Sequence, residues 1–235
     1  MARALVTGAT NGIGKAIAVA LAKAGHEVTG TGRNADRLAA LLEAGISPLA
    51  LSMDDPAEIA RQLEGREFDI LINNAGTMPP LGHFTESDFA DSARTVTVNL
   101  LGPMAVTRAI LPGMVARCSG HVFFLGSIAG HAPYPNVAAY CATKYAISGF
   151  AHSLRMEVAQ AGVRVTEIAA GRVETELYAG ILSTEARAAM YANQTAIQPE
   201  DVAAMVCHVL AMPPHVDVTR FDINPTRIGS PTGTK

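Results

Sequence analysis

The sequence predicts an α/β fold in which helices cover both faces of a doubly wound parallel sheet, giving three layers in the order α/β/α. Strand-like and helix-like segments alternate along the 235 residues, which is typical of this class. The strand-like segments are almost entirely apolar, as expected for strands buried on both faces. No long linker divides the chain, so we expect a single domain over residues 1–235, long enough to bury a substantial core.

The individual elements follow from apolar spacing and from the residues that begin and end helices. The first strand, residues 4–6, runs into a glycine-rich turn, and Ile13, Ile17 and Leu21 then recur on one helix face over residues 12–24. Prolines 103 and 199 lie where helices 102–116 and 200–210 begin. The other predicted strands are residues 28–31, 48–51, 68–72, 121–125, 163–169 and 216–223. The other predicted helices are residues 36–44, 56–63, 86–98 and 138–160, and residues 171–198 are the least regular stretch.

Composition excludes several classes of protein. Hydrophobic residues make up 49% and charged residues 17% of the chain, so we expect a folded protein rather than a disordered one. The net charge of -3 gives no reason to expect nucleic acid or a membrane as a partner. Cys118, Cys141 and Cys207 form no CxxC pair, so we expect neither a disulfide nor a metal site, and a cytoplasmic location. The N-terminus resembles a strand and turn rather than a signal peptide.

A glycine-rich turn, TGATNGIG at residues 7–14, joins the first strand to the first helix. Glycine is needed where the backbone turns tightly and approaches a pyrophosphate, and a helix N-terminus offers unpaired N–H groups to an anion. Such turns also serve as plain connectors. The position between a strand and a helix nevertheless favours a dinucleotide site.

The end of the second strand indicates which dinucleotide to expect. Folds that bind NAD place Asp or Glu there, to hold the ribose 2′-hydroxyl. Residues 29–34 read TGTGRN, which contains no carboxylate to repel a 2′-phosphate, and Arg33 can pair with one. The alternative is that Arg33 is a solvated loop cation. We therefore predict NADP(H) as the cofactor, in preference to NAD(H).

Tyr140 and Lys144 lie four residues apart on a predicted helix and therefore share a face. A neighbouring ammonium and a positive nicotinamide ring stabilise a phenolate, so we expect a lowered pKa at Tyr140. The phenol can then pass a proton to or from a substrate oxygen. Ser127, just after a predicted strand, is within plausible reach of the same oxygen. Taken by itself, the tyrosine–lysine pair is equally consistent with a chance surface pair.

Taken together, the motifs resemble those of the short-chain dehydrogenase/reductase family, over essentially the whole chain. The matching segments, in the family's order and spacing, are residues 7–14, the NNAG at 73–76, Asn99, Ser127, Tyr140 and Lys144. The resemblance implies a Rossmann-type fold and a nicotinamide-dependent oxidoreductase. It implies that Tyr140 is the general acid/base and that Ser127 orients and polarises the carbonyl. It also implies that Lys144 lowers the tyrosine pKa and holds the nicotinamide ribose, while Asn99 fixes a water in a proton relay.

The resemblance and the turn together give a set of expected cofactor-binding residues: Gly8, Thr10, Asn11, Gly12, Ile13, Arg33, Asn34, Ser52, Met53, Asn74, Ala75, Gly76, Tyr140, Lys144, Gly171, Val173 and Thr175. Two positions depart from the family pattern. Ala170 replaces the usual proline before Gly171, which loosens a φ constraint and predicts a more mobile loop on the cofactor side. Ser52 replaces the aspartate that commonly holds the adenine, so no charge is available there.

Within the family, the chain is similar to bacterial NADP-dependent dehydrogenases of serine, allo-threonine and other 3-hydroxy acids. The segments that carry this likeness are residues 25–38, 108–121, 198–218 and 215–230. We therefore predict hydride transfer between NADP(H) and a small polar alcohol or carbonyl compound, such as a 3-hydroxy acid. The alternatives are a reductase of aldehydes, ketones or 3-oxoacyl thioesters, and a non-catalytic nucleotide sensor, which the intact catalytic positions disfavour.

Position in the fold suggests where the substrate binds. The predicted pocket draws on Met78, Pro79 and residues 128–137 and 172–195. The expected substrate contacts are Ser127, His131, Tyr134, Arg172 and Tyr178, with Glu176 nearby. Arg172 could clamp a carboxylate with two hydrogen bonds or could point into solvent. The resemblance further implies a homodimer or homotetramer, paired through the helices that follow residues 99 and 138.

Overall fold

The computed structural model describes residues 1–227 and contains the predicted sheet. Seven parallel strands lie in the order β3-β2-β1-β4-β5-β6-β7. They are β1 Arg3–Val6, β2 Glu27–Gly32, β3 Ser47–Ala50, β4 Ile70–Asn73, β5 Gly120–Leu125, β6 Val163–Ala170 and β7 Arg220–Ile223. The strand order reverses between β1 and β4, which opens a crevice at the carboxyl ends of the strands. The doubly wound parallel sheet is confirmed.

Helices cover both faces of this sheet. They are α1 Gly12–Lys23, α2 Ala35–Ala39, α3 Pro56–Leu63, α4 Phe89–Val96, α5 Gly102–Ala116, α6 Ala138–Val158, α7 Thr184–Tyr191 and α8 Pro199–Leu210. Alternate residues of β1 face opposite layers because strand side chains alternate. Val6 packs in one cluster with Ile17 of α1 and Val206 of α8, and Leu5 packs in a second cluster with Ile110 of α5. The three-layer arrangement is therefore confirmed.

Several element boundaries differ from the prediction. The helix predicted to begin at residue 86 begins at Phe89, because the Asp88 carboxylate caps it by accepting from the Ala90 N–H over 2.8 Å. It ends in a π-helical turn, Thr97–Leu101, of the kind often found at functional sites. The helix predicted over residues 36–44 is split into α2 and a 3₁₀ turn at Leu42–Ala44.

The irregular stretch 171–198 contains a helix that the sequence did not predict. Ser183 caps α7 by accepting from the Ala186 N–H over 3.2 Å, a serine signal that was available in the sequence. The last strand is shorter than the predicted 216–223. Assignment of the whole chain to one domain stays a prediction, and residues 228–230 of the segment used for the family likeness lie outside the described part.

One helical run passes a simple test for a membrane span. Residues Phe89–Ala116 are long and apolar enough, by length and composition, to cross a bilayer. However, 44% of an apolar 18-residue stretch within this run is buried inside the protein. Core helices of soluble proteins meet the same criteria of length and composition. The run is therefore only weak evidence for a membrane span.

Candidate active site

One cleft of about 1580 Å³ opens at the carboxyl ends of the strands. Its lining extends from the glycine-rich turn, through Asn74 after β4 and Ser127 after β5, to Tyr140 and Lys144 on α6. The crevice at the reversal of strand order is where open α/β sheets bind ligands. The structure therefore brings the predicted dinucleotide turn and the predicted catalytic residues into one site.

The turn between β1 and α1 has the shape that an anion site requires. Gly8 and Gly12 adopt left-handed φ values of 66° and 50°, which favour glycine. A Cβ at Gly8 would lie 3.0 Å from the Cα of Ala75. The N-cap Asn11 makes no side-chain capping bond, and the first turn of α1 has no acidic residue. The positive end of the helix is thus left for an anion.

The NNAG segment holds this turn in place. The Asn74 side-chain amide donates to the carbonyls of Thr7 and Gly8 over 2.8 and 3.2 Å. The Thr7 hydroxyl in turn accepts from the N–H groups of Asn74 and Ala75 over 2.9 and 3.0 Å. Gly14 is required because a Cβ there would lie 2.3 Å from the Asn74 amide nitrogen. Asn74, Ala75 and Gly76 also line the cleft, as predicted for cofactor contacts.

Arg33 reaches the cleft from the end of β2, with 65% of its side chain exposed. Its guanidinium lies 3.5 Å from the carboxylate of Asp54, which is also 3.4 Å from Arg94. The end of β2 itself contains no carboxylate, but the fold brings Asp54, which follows β3, beside Arg33. Asn34 lines the cleft and also caps α2, since its side-chain oxygen accepts from the Arg37 N–H over 2.9 Å.

Met53 and Ser52, both predicted to contact the adenine side of the cofactor, differ in whether they line the cleft. Met53 is buried and lines the cleft. Ser52 does not line it, because its hydroxyl donates to the Asp54 carboxylate over 2.9 Å. A cofactor contact at Ser52 stays a prediction, to which the cleft lining lends no support. The other predicted cofactor residues on the far wall, Gly171, Val173 and Thr175, line the cleft.

Tyr140 and Lys144 occupy the first turns of α6, and both are buried, with 9% and 7% exposure. The Lys144 Nζ lies 5.6 Å from the centroid of the Tyr140 ring and donates to the Leu125 carbonyl over 2.7 Å. Ser127 interacts with the Tyr140 phenol and lowers its pKa. Ser127 also caps the 3₁₀ turn Ile128–Gly130 by accepting from the Ala129 N–H, which fixes its direction.

Burial controls the protonation of the Tyr140–Lys144 pair. Burial raises the pKa of Tyr140 above its usual value, with a smaller contribution from Tyr178, while the interaction with Ser127 lowers it. Burial lowers the pKa of Lys144 to about 8, and the charge of Glu167 opposes that decrease. The chain's own groups therefore do not produce the lowered tyrosine pKa that the sequence predicted, because desolvation outweighs the lowering by Ser127.

Asn99 lies buried in the π-helical turn. Its side-chain amide donates to the Thr77 carbonyl over 2.8 Å and to the Thr143 hydroxyl over 3.3 Å, and its oxygen accepts from the Thr77 N–H over 2.7 Å. Both of its N–H groups are thus used to tie the loop after β4 to α6. The water relay at Asn99 stays a prediction.

On the substrate side, Tyr134, Arg172 and Tyr178 line the cleft as predicted. Arg172 donates to the carbonyl of Met190 over 3.2 Å, which directs it along the wall formed by residues 171–198. His131 does not line the cleft, which corrects the prediction. Its Nε2 lies 2.9 Å from the carboxylate of Glu167, because the turn after Ser127 directs the imidazole towards β6.

Two features of the site were missed from the sequence. The carboxylate of Glu176 accepts from Arg37 over 2.7 Å and from the side chain of Asn11 over 3.1 Å, so it joins the segment after β6 to the cofactor side. No local signal predicts this contact, since 139 residues separate Glu176 from Arg37. Glu167 is fully buried in β6, and a carboxylate in the otherwise apolar strand VRVTEIAA was a signal that could have found it.

Comparison with known proteins decides the family. A family model described as short chain dehydrogenase matches residues 2–186. The chain belongs to the short-chain dehydrogenase/reductase family. This confirms the predicted family and the predicted oxidoreductase class.

Relatives within this family share both sequence and fold over nearly the whole chain. The NADP-dependent 3-hydroxy acid dehydrogenase YdfG of Salmonella typhimurium is 35% identical over 94% of each chain. Sulfoacetaldehyde reductase 2 of Chromohalobacter salexigens is 34% identical over 95% of this chain and 94% of the relative. The closed form of serine dehydrogenase complexed with NADP+ superposes with a TM-score of 0.92 at 33% identity, covering 97% of each chain.

Proposed function

We propose that this protein is an NADP(H)-dependent oxidoreductase that interconverts a small alcohol and its carbonyl form, with a carboxylate or sulfonate near the reacting carbon. The observation that carries the proposal is one cleft lined by Ser127, Tyr140 and Lys144 and also by the cation Arg172. An acid/base pair without a nearby cation would leave the substrate class open.

The residues around the turn fit NADP(H). The N-terminus of α1 and the glycines at 8 and 12 suit the pyrophosphate, and a Cβ at Gly12 would lie 3.2 Å from Thr175. Arg33 and Arg37 line the same cleft and suit a 2′-phosphate. When bound, the nicotinamide supplies or accepts the hydride. The NADP-dependent dehydrogenase and the NADP+ complex among the relatives support this choice of cofactor.

The catalytic proton belongs at the Tyr140 hydroxyl. In reduction Tyr140 donates this proton to the carbonyl oxygen, and in oxidation it accepts the proton from the alcohol. The Ser127 hydroxyl, held by its bond from the Ala129 N–H, orients the same oxygen. The buried ammonium of Lys144 stabilises the phenolate form, and the burial of all three residues limits access of water.

The substrate class rests on the chemistry shared by the relatives' names. A 3-hydroxy acid, serine and sulfoacetaldehyde each carry a carboxylate or sulfonate separated by one carbon from the carbon that bears the reacting oxygen. Arg172, at the carboxyl end of β6, can bind such an anion with two parallel hydrogen bonds. Tyr134 and Tyr178 complete this polar end of the cleft.

A substitution at Arg172 tests the substrate class. We expect Arg172→Met to lower kcat/KM for a 3-hydroxy acid by roughly tenfold to a hundredfold, the usual value of a hydrogen bond to a charged group. For the uncharged methyl ester of the same hydroxy acid, kcat/KM should change little. Arg187→Met is the matched control, since Arg187 is in the same segment but does not line the cleft. Equal losses for the acid and the ester would refute the anion site.

We also propose the homodimer or homotetramer that the resemblance implies, in the cytoplasm. Large apolar side chains on α4 to α6 support it, because Phe89, Tyr145 and Met156 are 76%, 44% and 66% exposed. Exposed apolar side chains grouped on neighbouring helices are typical of subunit contacts. Light scattering tests this proposal, and a monomer at assay concentration would refute it.

A further inference from the structure

Glu167 is a buried carboxylate that the proposed mechanism does not use. Its residue is 0% exposed, and its backbone is paired with Phe124 of β5 on one side and Arg220 of β7 on the other. A buried charge is strongly unfavourable unless its surroundings compensate it. The partners of Glu167 therefore indicate its role.

Both oxygens of Glu167 accept hydrogen bonds. The Ser148 hydroxyl donates to Oε2 over 2.9 Å, and the His131 Nε2 lies 2.9 Å from Oε1. The guanidinium of Arg220 lies 3.1 Å from the His131 Nδ1. Because a guanidinium only donates, Nδ1 must accept and Nε2 must carry the hydrogen that Glu167 accepts. A carboxyl group that accepts at both oxygens needs no proton of its own, so this geometry favours an ionised Glu167.

Besides His131, the groups that interact with the charge of Glu167 or lie at ion-pair distance from it are Lys144, His152 and Arg220. From α6, Lys144 experiences the field of the carboxylate, and the His152 Nε2 lies 3.6 Å from Oε2. From β7, Arg220 pairs with Asp222 over 2.6 Å, so those two charges offset each other. The imidazole of the turn after β5 is neutral in the tautomer deduced above. The Lys144 Nζ donates to the carbonyl of Leu125, the residue before Gly126, so the ammonium lies close to the backbone that contacts the carboxylate.

The backbone beside Ser127 is shaped around this carboxylate. A Cβ at Gly126 would lie 2.6 Å from the Glu167 Oε1. Ser148 lies one helical turn after Lys144 on α6, so its bond to Glu167 ties the helix that carries the catalytic pair to β6. The carboxylate is therefore held against both segments that carry the catalytic residues.

We infer that Glu167 is a positioning residue that acts through Lys144, because its buried negative charge keeps the Lys144 ammonium protonated beside Tyr140. His131 and Arg220 support it by holding the carboxylate in its ionised form. The inference rests on the proposed function only in that Tyr140 and Lys144 are the catalytic pair. Glu167 is then a determinant of proton transfer although it does not line the cleft.

The test is a direct titration of Lys144 by NMR of its ¹³Cε resonance, in protein without cofactor or substrate. We expect Glu167→Gln to move the Lys144 midpoint to lower pH by about one unit or more, because an opposing charge has been removed. Ser148→Ala is the matched variant, since it removes a hydrogen bond at the same carboxylate but keeps the charge. The Lys144 midpoint in Ser148→Ala should stay within about 0.3 pH unit of the wild type. The same holds for Glu157→Gln, which changes a residue on the exposed side of α6.

An unchanged midpoint in Glu167→Gln, or an equal shift in Ser148→Ala, would overturn the inference. If Glu167→Gln fails to fold, the wild-type Glu167 ¹³Cδ resonance carries the test. We expect it to report an ionised carboxylate from about pH 6 to about pH 9, with a small step at the Lys144 midpoint. A protonated carboxyl, or the absence of that step, would refute the inference.

Enzyme activity gives a second readout. In the pH profile of kcat/KM, the limb caused by titration of the tyrosine–lysine pair should shift to lower pH in Glu167→Gln. This is the same direction as the shift of the NMR midpoint. A purely structural role would lower the rate without moving that limb. The NMR titration needs neither cofactor nor substrate. It therefore tests the effect of Glu167 on the protonation of Lys144 even where the proposed reaction itself is refuted.

Discussion

His121 should make the folded protein sensitive to acid. It is 2% exposed, and its ring stacks on Phe123 with 4.0 Å between centroids. Its Nε2 lies 2.8 Å from the Thr166 hydroxyl, which itself donates to the Val218 carbonyl over 2.6 Å, so Nε2 must carry the hydrogen. Within residues 1–227 the buried Nδ1 has no hydrogen-bond partner. Protonation of His121 would therefore bury an unsatisfied charged donor.

The pKa gives the size and sign of this effect. Burial, and secondly the charge of Arg164, lowers the pKa of His121 from 6.5 to about 3. As the pH falls below 6.5 the unfolded chain takes up a proton that the folded chain does not, so stability is lost until about pH 3. At about 1.4 kcal/mol per unit, the loss is about 2 kcal/mol by about pH 5 and about 5 kcal/mol in all.

The assay is urea unfolding of the wild type and of His121→Gln at about pH 7.5 and about pH 5. Glutamine keeps a donor for Thr166 but cannot titrate. We expect the wild type to lose about 2 kcal/mol more than the variant between these pH values. His215→Gln, which removes an exposed imidazole, is the control and should keep the full acid sensitivity. A His121→Gln variant that loses stability as steeply as the wild type would refute the reasoning.

Two further predictions concern the cleft. Tyr140→Phe should lower kcat by roughly a hundredfold to ten-thousandfold, the usual contribution of a positioned acid/base, while NADPH binding measured by fluorescence weakens far less. Full turnover in this variant would contradict the proposed mechanism. Arg33→Gln should lower kcat/KM for NADPH roughly tenfold to a hundredfold and leave NADH unaffected, because only NADPH carries the 2′-phosphate. Asp54→Asn is the matched variant and should shift the preference towards NADPH, so a shift towards NADH would contradict the role of Arg33.

Local sequence patterns were sufficient to predict the fold class and the catalytic residues. The spacing of apolar residues distinguishes strands from helices within a short stretch of chain. The alternation of strands and helices along the chain is then compatible with only a few parallel-sheet topologies. The residues at 7–14 and the spacing of Tyr140 and Lys144 specify a turn and a helix face, which also depend only on nearby chain. These predictions needed no knowledge of distant contacts.

The pairing of charges, in contrast, depends on contacts between distant parts of the chain. Asp54 lies beside Arg33 although 21 residues separate them, and Glu167 meets His131 across 36 residues. The direction of a side chain such as His131, and the desolvation that dominates the pKa of Tyr140, depend on how the layers pack. Neither is encoded by periodicity, because burial and electrostatic fields arise from residues far apart in the sequence.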